Sequence, residues 1–161
     1  MRWPSSVCTN CFLVKKKSFE LATNNANKLG SASGILIGGN LSILFSMLAT
    51  PERYNFSESI LFIEDLAEHL YHIDRMLHAL RKSGALDQIN GLVIGGMTDL
   101  EDTDVPFGKS IEALILDHFK YRKIPICFDF PAGHIDDNQA LLFGTSVELN
   151  VNENTSTLNY L

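Results

Sequence analysis

The segment SILFIEDLAEHLYHIDRMLHALRKSG, residues 59–84, decides the fold class. Its first six residues form an apolar, β-branched run that is typical of a buried strand, and the run ends in two adjacent carboxylates, Glu64 and Asp65. Gly84 suits a left-handed helix end. A helix is predicted between the two carboxylates and Gly84, because apolar residues recur at spacings of three and four. They form one stripe: Leu66, Leu70, Ile73, Leu77 and Leu80. A buried strand leading into an amphipathic helix is the unit of an α/β layer.

Two further segments repeat this order of strand and helix. Residues 35–39 form a short apolar run that stops at two glycines, and Asn40 can cap the helix that follows. Residues 91–96 repeat the pattern of a strand and two glycines, and residues 110–120 form a second amphipathic helix pattern. The paired glycines predict backbone turns at the ends of buried strands, where the sites of α/β proteins tend to lie.

The C-terminal third of the chain predicts strands without a helix. Residues 124–128 form an apolar run, and a loop over 129–138 follows it. Residues 147–152 alternate between apolar and polar side chains, and the alternation resumes at 158–160 after a polar turn, which predicts a half-exposed β-hairpin. We therefore expect one α/β domain over residues 31–161, with a C-terminal β-hairpin.

The composition bounds the class of protein. The chain has 161 residues, of which 45% are hydrophobic, and a formal net charge of -6, which is enough material for one globular domain. A pI near 5.3 argues against nucleic-acid binding, which depends on clustered Lys and Arg. The longest apolar runs, such as residues 43–49, fall well short of the roughly 20 residues that span a bilayer, so no membrane partner is expected.

Residues 1–30 show no sustained periodicity and predict an irregular leader. The chain begins without the order of a secretion signal, and three cysteines without framework spacing fit a reducing compartment, so a cytoplasmic location is expected. Cys8 and Cys11 form a single CxxC pair, whereas a structural zinc site needs a second pair or two histidines. Cys127 lies in an apolar run and is predicted to be buried.

Two residues fit parts of a nucleophilic catalytic site, which needs a hydroxyl or thiol, a histidine base and an acid that orients the histidine. His134 follows Gly133 on a loop just after a strand, a position that suits a cleft as well as an ordinary surface histidine. Glu64 ends an apolar strand and can be a site acid or an acid at a helix start. The sequence GSASG is not a nucleophile elbow, because that pattern needs serine where Ala32 stands.

A metal site is the alternative chemistry. Asp65, His69 and His72 would lie one turn apart on the predicted helix and could present three ligands on one face. The same stretch also fits an ordinary solvated face opposite the leucine stripe. His78 and His118 are predicted to be helix-surface residues.

Three blocks of sequence resemble the LD-carboxypeptidase family of serine peptidases, which includes murein tetrapeptide carboxypeptidases and microcin-immunity relatives. The blocks are GGNLS at 38–42, ILFIEDL at 60–66 with YHIDRML at 71–77, and FPAGH at 130–134. The resemblance covers residues 34–161 in order. It implies a swivelling β/β/α domain, which in the family follows an N-terminal flavodoxin-like domain, and it implies that residues 1–30 are the remnant of that missing domain.

The resemblance also implies roles for individual residues. Glu64 matches the glutamate of the family's catalytic triad, and His134 matches its histidine. No position matches the nucleophilic serine, which the family carries on the N-terminal domain. Four further residues in the matched blocks are expected to support the substrate site or a domain interface: Asn40, Asp65, Tyr71 and Arg75.

The implied reaction is hydrolysis of an L,D amide bond, typically with release of terminal D-alanine from cytoplasmic muropeptides during cell-wall recycling, and no metal or organic cofactor is implied. The chain alone is expected to be nearly inactive for want of a nucleophile, and to expose apolar surface where the missing domain would pack. A homodimer is expected by analogy only. Two other functions remain open, a non-catalytic binding domain that retains the fold and a metal-dependent hydrolase that uses Asp65, His69 and His72.

Overall fold

The structure is a computed structural model that describes residues 18–161. No helix in this part of the chain is long and apolar enough to cross a membrane. The described residues form seven strands and four helices, in the order β1 (Ser18–Ala22), β2 (Gly30–Asn40), α1 (Leu41–Met47), β3 (Ser59–Leu66), α2 (Leu70–Lys82), α3 (Ala85–Gln88), β4 (Gly91–Thr98), α4 (Ile111–His118), β5 (Ile126–Cys127), β6 (Ser146–Val151) and β7 (Thr155–Tyr160).

The strands form one mixed sheet in the order β1-β7-β6-β2-β3-β4-β5. Pairing is parallel from β2 through β3 and β4 to β5, because helices carry the chain back between these strands. Pairing is antiparallel from β2 to β6, β7 and β1, and β6 and β7 form the predicted hairpin. The α/β fold class and the C-terminal hairpin are confirmed.

The helices pack on one face of the parallel strands. Buried residues from all four helices share a core cluster with alternate strand residues, such as Leu61 and Ile63 of β3 and Ile94 of β4. Each large apolar side chain buried there stabilises the fold by roughly 1.5–3 kcal/mol. Asn40 begins α1 as predicted, because its side chain accepts a hydrogen bond from the backbone N–H of Ile43.

The opposite face is covered by strands and by the loop after β5. Phe62 of β3 and Phe130 of that loop pack edge to face, with ring centroids 6.2 Å apart, and Phe19 of β1 lies 5.1 Å from Phe130. Cys127 belongs to the same cluster and is fully buried, which confirms its prediction, and burial raises the pKa of its thiol to about 11. These residues belong to a second core cluster, which also contains Leu36, Ile60, Val93, Ala132, Val147, Leu149, Val151 and Leu158. The site described below lies at the edge of this second cluster.

The prediction of an irregular leader is wrong for residues 18–30, where the chain forms β1 and enters β2. Between these two strands, Lys28 exchanges backbone hydrogen bonds of 2.9 and 3.0 Å with Ile126, and the Asn27 side chain accepts one from the N–H of Phe128. These contacts cover the outer edge of β5. Their partners lie far along the chain, so local periodicity does not report them. Residues 1–17, with Cys8 and Cys11, lie outside the described residues.

The helix predicted from Leu66 begins only at Leu70. Leu66 is instead the last residue of β3 and is 38% exposed, so it does not belong to the buried stripe. Ala67 has a φ of 55°, a left-handed conformation that separates the strand from the helix. Gly84 adopts the predicted left-handed conformation after α2, with a φ of 78°.

The two pairs of glycines lie inside strands, which corrects their prediction as turns at strand ends. Gly38 and Gly39 pair with Phe62 and Ile63 in β2, and β4 continues through Gly95 and Gly96 to Thr98. Gly38 and Gly95 allow close approach of neighbouring backbone, since a Cβ would lie 1.9 Å from the carbonyl oxygen of Phe62 and 2.4 Å from that of Ala132, respectively.

His118 is buried rather than exposed, which corrects its prediction as a surface residue. It lies at the end of α4 and its Nε2 is 2.9 Å from the Asp74 carboxylate of α2. Burial lowers the pKa of His118, and the hydrogen bond to Asp74 opposes that effect. The pair therefore joins helices α2 and α4, and neither residue belongs to the second cluster.

Candidate active site

Glu64 lies on the face of β3 that points away from the helices. Successive side chains of a strand alternate between its faces, and Phe62 packs in the second cluster whereas Ile63 packs against the helices. Glu64 follows on the side of Phe62 and is only 6% exposed. A carboxylate this deeply buried needs a partner, because an unpaired buried charge is very costly.

The partner of Glu64 is His134, on the loop that follows β5. The imidazole Nδ1 lies 2.7 Å from Glu64 Oε2, and the backbone N–H of His134 donates to the same oxygen at 3.3 Å. The Glu64 side chain is 7% exposed and the imidazole 52%, so the charge is fixed inside the domain while the ring reaches solvent. The structure thus brings together the two residues that the sequence pairs as acid and base.

Gly133 allows this loop to approach Glu64. Its φ is 107°, which side chains rarely adopt, and a Cβ added there would lie 2.8 Å from Glu64 Cβ and 3.0 Å from Oε2. Any larger residue would push the loop and the acid apart. The Gly-His pair of the sequence is therefore a steric requirement of the contact between Glu64 and His134.

A β-bulge opposite Glu64 seats the loop on β4. Ile63 pairs with Ile94, but Asp65 pairs with Met97, so two glycines of β4 face the single residue Glu64. Gly96 donates a backbone hydrogen bond of 2.9 Å to the carbonyl of Ala132, just before the Gly-His pair. A Cβ on Gly95 would lie 2.4 Å from that same oxygen. The bulge therefore determines the position along β3 at which His134 contacts Glu64.

The electrostatics of the pair define which ring nitrogen can exchange a proton. Glu64 raises the pKa of His134 above its ordinary value of 6.5, first through the hydrogen bond and then through its charge, and Asp65 adds a smaller attraction. Because the carboxylate accepts the proton of Nδ1, the neutral ring has its free lone pair on Nε2. His134 can therefore take a proton at Nε2 while Glu64 stabilises the imidazolium.

Replacement of Glu64 by glutamine is expected to lower the pKa of His134 to about 6.5 or below, because the amide keeps the shape of the acid but loses its charge. NMR titration of the His134 ring in the chain itself measures this. Asp137→Asn is the matched control, since it removes a carboxylate of the same loop that bonds the Gln139 amide instead. A pKa of His134 that is equal in wild type and E64Q would contradict the coupling.

A depression of about 290 Å³ opens beside the pair. Its lining is mostly apolar and includes Glu64 and Gly39. The other apolar lining residues are Phe62, Ala132, Ala140, Leu141 and Phe143. A small apolar group of a ligand could rest there beside Glu64 and Gly133.

Asn40 and Asp65 form a separate hydrogen-bonded group on the helix side of β3. Asp65 is 2% exposed and accepts hydrogen bonds from the Asn40 amide at 2.8 Å and from the backbone N–H of Ser42 at 3.0 Å. These bonds satisfy the first turn of α1. Asp65 therefore anchors α1 to β3, and a role for either residue in substrate binding stays a prediction.

Tyr71 and Arg75 contact each other on α2. The Arg75 guanidinium lies 4.8 Å from the centre of the Tyr71 ring, which is a cation–π contact. The His69 ring stacks on the same Tyr71 ring, with the two ring centres 5.3 Å apart. No hydrogen bond, ion pair or ring contact among the described residues joins Tyr71 or Arg75 to His134, so their predicted support of substrate also stays a prediction.

The three residues of the alternative metal site do not share a helix face, which corrects the premise of that alternative. Asp65 lies in β3 and bonds to α1, His69 precedes α2, and only His72 lies within the helix. His72 instead pairs with Glu68 at 3.0 Å. Among residues 18–161 no group of three or more potential ligands is arranged to hold a metal ion.

Two further side chains contact the loop that carries His134 and are not among the residues that the sequence predicts. The Thr98 hydroxyl donates to the carbonyl of His134, and the Asn138 side chain accepts from the N–H of Gly133. Asn138 lies within the predicted loop, four residues after the histidine, and is a typical residue for bonding a nearby backbone group. Thr98 could be located only by knowing the register of the bulge.

Comparison with known proteins gives concordant matches. The sequence model of the LD-carboxypeptidase C-terminal domain matches residues 33–149. A putative carboxypeptidase of Synechocystis sp. is 34% identical over 139 residues, which are 86% of this chain and 46% of that protein. The probable murein peptide carboxypeptidase of Bacillus subtilis is 33% identical over 129 residues, which are 80% of this chain and 40% of that protein.

A solved structure agrees with the fold. The crystal structure of muramoyltetrapeptide carboxypeptidase from Oxalobacter formigenes superposes with a TM-score of 0.85 and 28% identity, over 96% of this chain and 53% of that one. The chain thus spans about half the length, or less, of the proteins that it matches.

Proposed function

The chain belongs to the LD-carboxypeptidase family, and from this premise we propose that it is the acid-and-base part of a serine-type carboxypeptidase that cleaves L,D amide bonds. The observation that carries the proposal is the contact of 2.7 Å between the buried Glu64 carboxylate and Nδ1 of the half-exposed His134. This is the arrangement by which an acid orients a histidine base in a catalytic triad. The names of the relatives support a murein peptide as substrate.

In the proposed mechanism a serine hydroxyl attacks the carbonyl carbon of the L-residue, and His134 Nε2 takes the hydroxyl proton. The new C–O bond forms as the carbonyl π electrons move to oxygen. Collapse of this intermediate breaks the C–N bond, and the imidazolium returns its proton to the leaving amine of the D-residue. Water then attacks the acyl-enzyme carbonyl as His134 takes its proton. Collapse of this second intermediate breaks the ester C–O bond, and the imidazolium returns the proton to the serine oxygen. Glu64 holds the imidazole and stabilises its charged form throughout.

We propose that the serine belongs to a second domain, which agrees with the fraction of each relative that the chain spans. Among the described residues, the His134 side chain hydrogen-bonds to Glu64 alone, so the nucleophile has to approach Nε2 from outside this group. Apolar side chains beside the site support a docking domain, since Leu142 is 49% and Phe143 42% exposed. A homodimer that covers the same surface is the competing arrangement.

The enzyme is proposed to work in the cytoplasm, on terminal D-alanine of muropeptides released from the cell wall. The apolar lining of the depression beside Glu64 supports binding of a small apolar group such as the methyl of alanine. Neither the Glu64–His134 pair nor this depression calls for a metal in the reaction.

The test supplies the missing half of the enzyme. The N-terminal half of the B. subtilis relative is added in trans or fused to this chain, and D-alanine release from a murein tetrapeptide is measured. We expect hydrolysis by the combined protein and almost none by either part alone. A combined protein that binds the tetrapeptide without releasing D-alanine would contradict catalysis and leave the binding domain as the function.

A further inference from the structure

Side chains bond three backbone polar groups of Gly133 and His134, next to the imidazole. The N–H of Gly133 donates to Asn138 Oδ1 at 3.1 Å, the N–H of His134 donates to Glu64, and the carbonyl of His134 accepts from Thr98 Oγ1 at 3.0 Å. A loop is ordinarily the most mobile part of a domain. Here three hydrogen bonds, from three different side chains, hold the consecutive residues Gly133 and His134.

Thr98 differs from the other two partners because it lies on a rigid element that takes no part in the acid–base pair. It is the last residue of β4 and is paired with Leu66 of β3. Its own carbonyl accepts a hydrogen bond of 3.0 Å from the N–H of Ala67. Asn138, by contrast, belongs to the same loop as the histidine and moves with it.

The bulge brings the Thr98 hydroxyl to this loop. Asp65 pairs with Met97, and the extra residue at Gly95–Gly96 shifts every later residue of β4 by one position relative to β3. A one-residue shift exchanges the two faces of a strand. Without the bulge the side chain at position 98 would therefore point to the other face, away from the loop that carries His134.

We propose that Thr98 is a positioning residue, whose hydroxyl ties the His134 carbonyl to the end of β4 and thereby holds the imidazole at hydrogen-bond distance from Glu64. Its catalytic meaning rests on the proposed function, whereas its geometric effect belongs to the chain itself. The Glu64–His134 contact is sensitive to small displacements, because hydrogen bonds weaken steeply with poor distance and angle. A misplacement of about 1 Å can cost on the order of 10²-fold in rate.

The experiment compares Thr98→Val, which keeps the shape of the side chain but removes the hydroxyl, with Thr98→Ser, which keeps the hydroxyl. NMR titration of the His134 ring is the readout, because the coupling to Glu64 raises its pKa. We expect T98V to lower the pKa of His134 by about 0.5, the change that a weakened hydrogen bond produces, and T98S to restore most of it. A loss of stability alone would not produce this pattern.

Thr103→Val is the matched control. The Thr103 hydroxyl also donates to a backbone carbonyl, that of Val105 at 2.7 Å, but on an exposed loop without contact to His134. We expect T103V to leave the pKa of His134 unchanged. Thr98→Ala serves if T98V fails to fold, since it removes the hydroxyl without placing a methyl group against the carbonyl.

An unchanged pKa of His134 in T98V or T98A overturns the proposal, as does an equal decrease in T98S. These outcomes are distinct from a failure of the proposed function. A normal response of His134 to E64Q, together with no response to T98V, would reject the positioning role and keep the acid–base pair. Absence of D-alanine release by the combined protein would reject the enzyme and leave the measured effect of Thr98 on His134 intact.

Discussion

Replacement of His134 by alanine in the combined protein is expected to lower kcat for D-alanine release by about 10³-fold or more. The imidazole does two jobs in the proposed mechanism, because Nε2 first removes the serine proton and later protonates the leaving amine. Without it the serine attacks as a neutral hydroxyl, which is a weak nucleophile. The KM should change little, because the ring contributes to proton transfer rather than to the walls of the depression.

His72→Ala is the control for this measurement. His72 is also a partly exposed histidine paired with a glutamate, Glu68, but it lies on α2 outside the second cluster. We expect H72A to retain activity within about 3-fold, as is usual for a surface change that breaks one exposed ion pair. Equal activity of H134A and the unmodified protein would reject His134 as the base.

Replacement of Gly38 by alanine is expected to destabilise the domain by at least about 3 kcal/mol, enough to unfold a large fraction of a marginal domain. A Cβ at this position would lie 1.9 Å from the carbonyl oxygen of Phe62 and 2.8 Å from its carbon. Both are backbone atoms of β3, which cannot give way as a flexible side chain can. The φ of 129° adds strain of its own.

Urea denaturation of G38A and of the control Gly144→Ala separates the steric clash from the backbone strain. Gly144 also has a positive φ, of 79°, but nothing lies within 4 Å of a Cβ built there. We expect G144A to lose only about 1 kcal/mol, the cost of a strained backbone without a clash. An equal loss of unfolding free energy in the two variants would contradict the close packing of β2 against the Phe62 backbone of β3.

The elements that the sequence predicts well are those whose signal is local. The helix after Glu64, its left-handed end at Gly84 and the alternation of the final hairpin each follow from spacing within one segment, and the structure contains all three. The helix start is misplaced by four residues because Leu66 fits the period equally well as the end of a strand. Periodicity alone cannot separate these two assignments over so short a run.

The features that the sequence does not predict depend on contacts between distant residues. Periodicity near residue 20 contains no information about pairing with β7, and nothing local marks His118 as a buried partner of Asp74. In the candidate site, resemblance identifies Glu64 and His134, but their contact depends on the bulge in β4 and on Gly133. Register and close approach are properties of paired strands, so a single segment does not determine them.

The pairing of β1 with β7 has a consequence for how the chain acquires its structure during synthesis. Phe19 lies opposite Leu158, a separation of about 140 residues, and such non-local pairs give a high contact order and slow folding. A nascent chain can assemble the parallel strands and helices early, but β1 has no partner until the last hairpin leaves the ribosome. During that interval the edge of β2 that later pairs with β6 stays unprotected, which makes this the stage at which aggregation competes most strongly with folding.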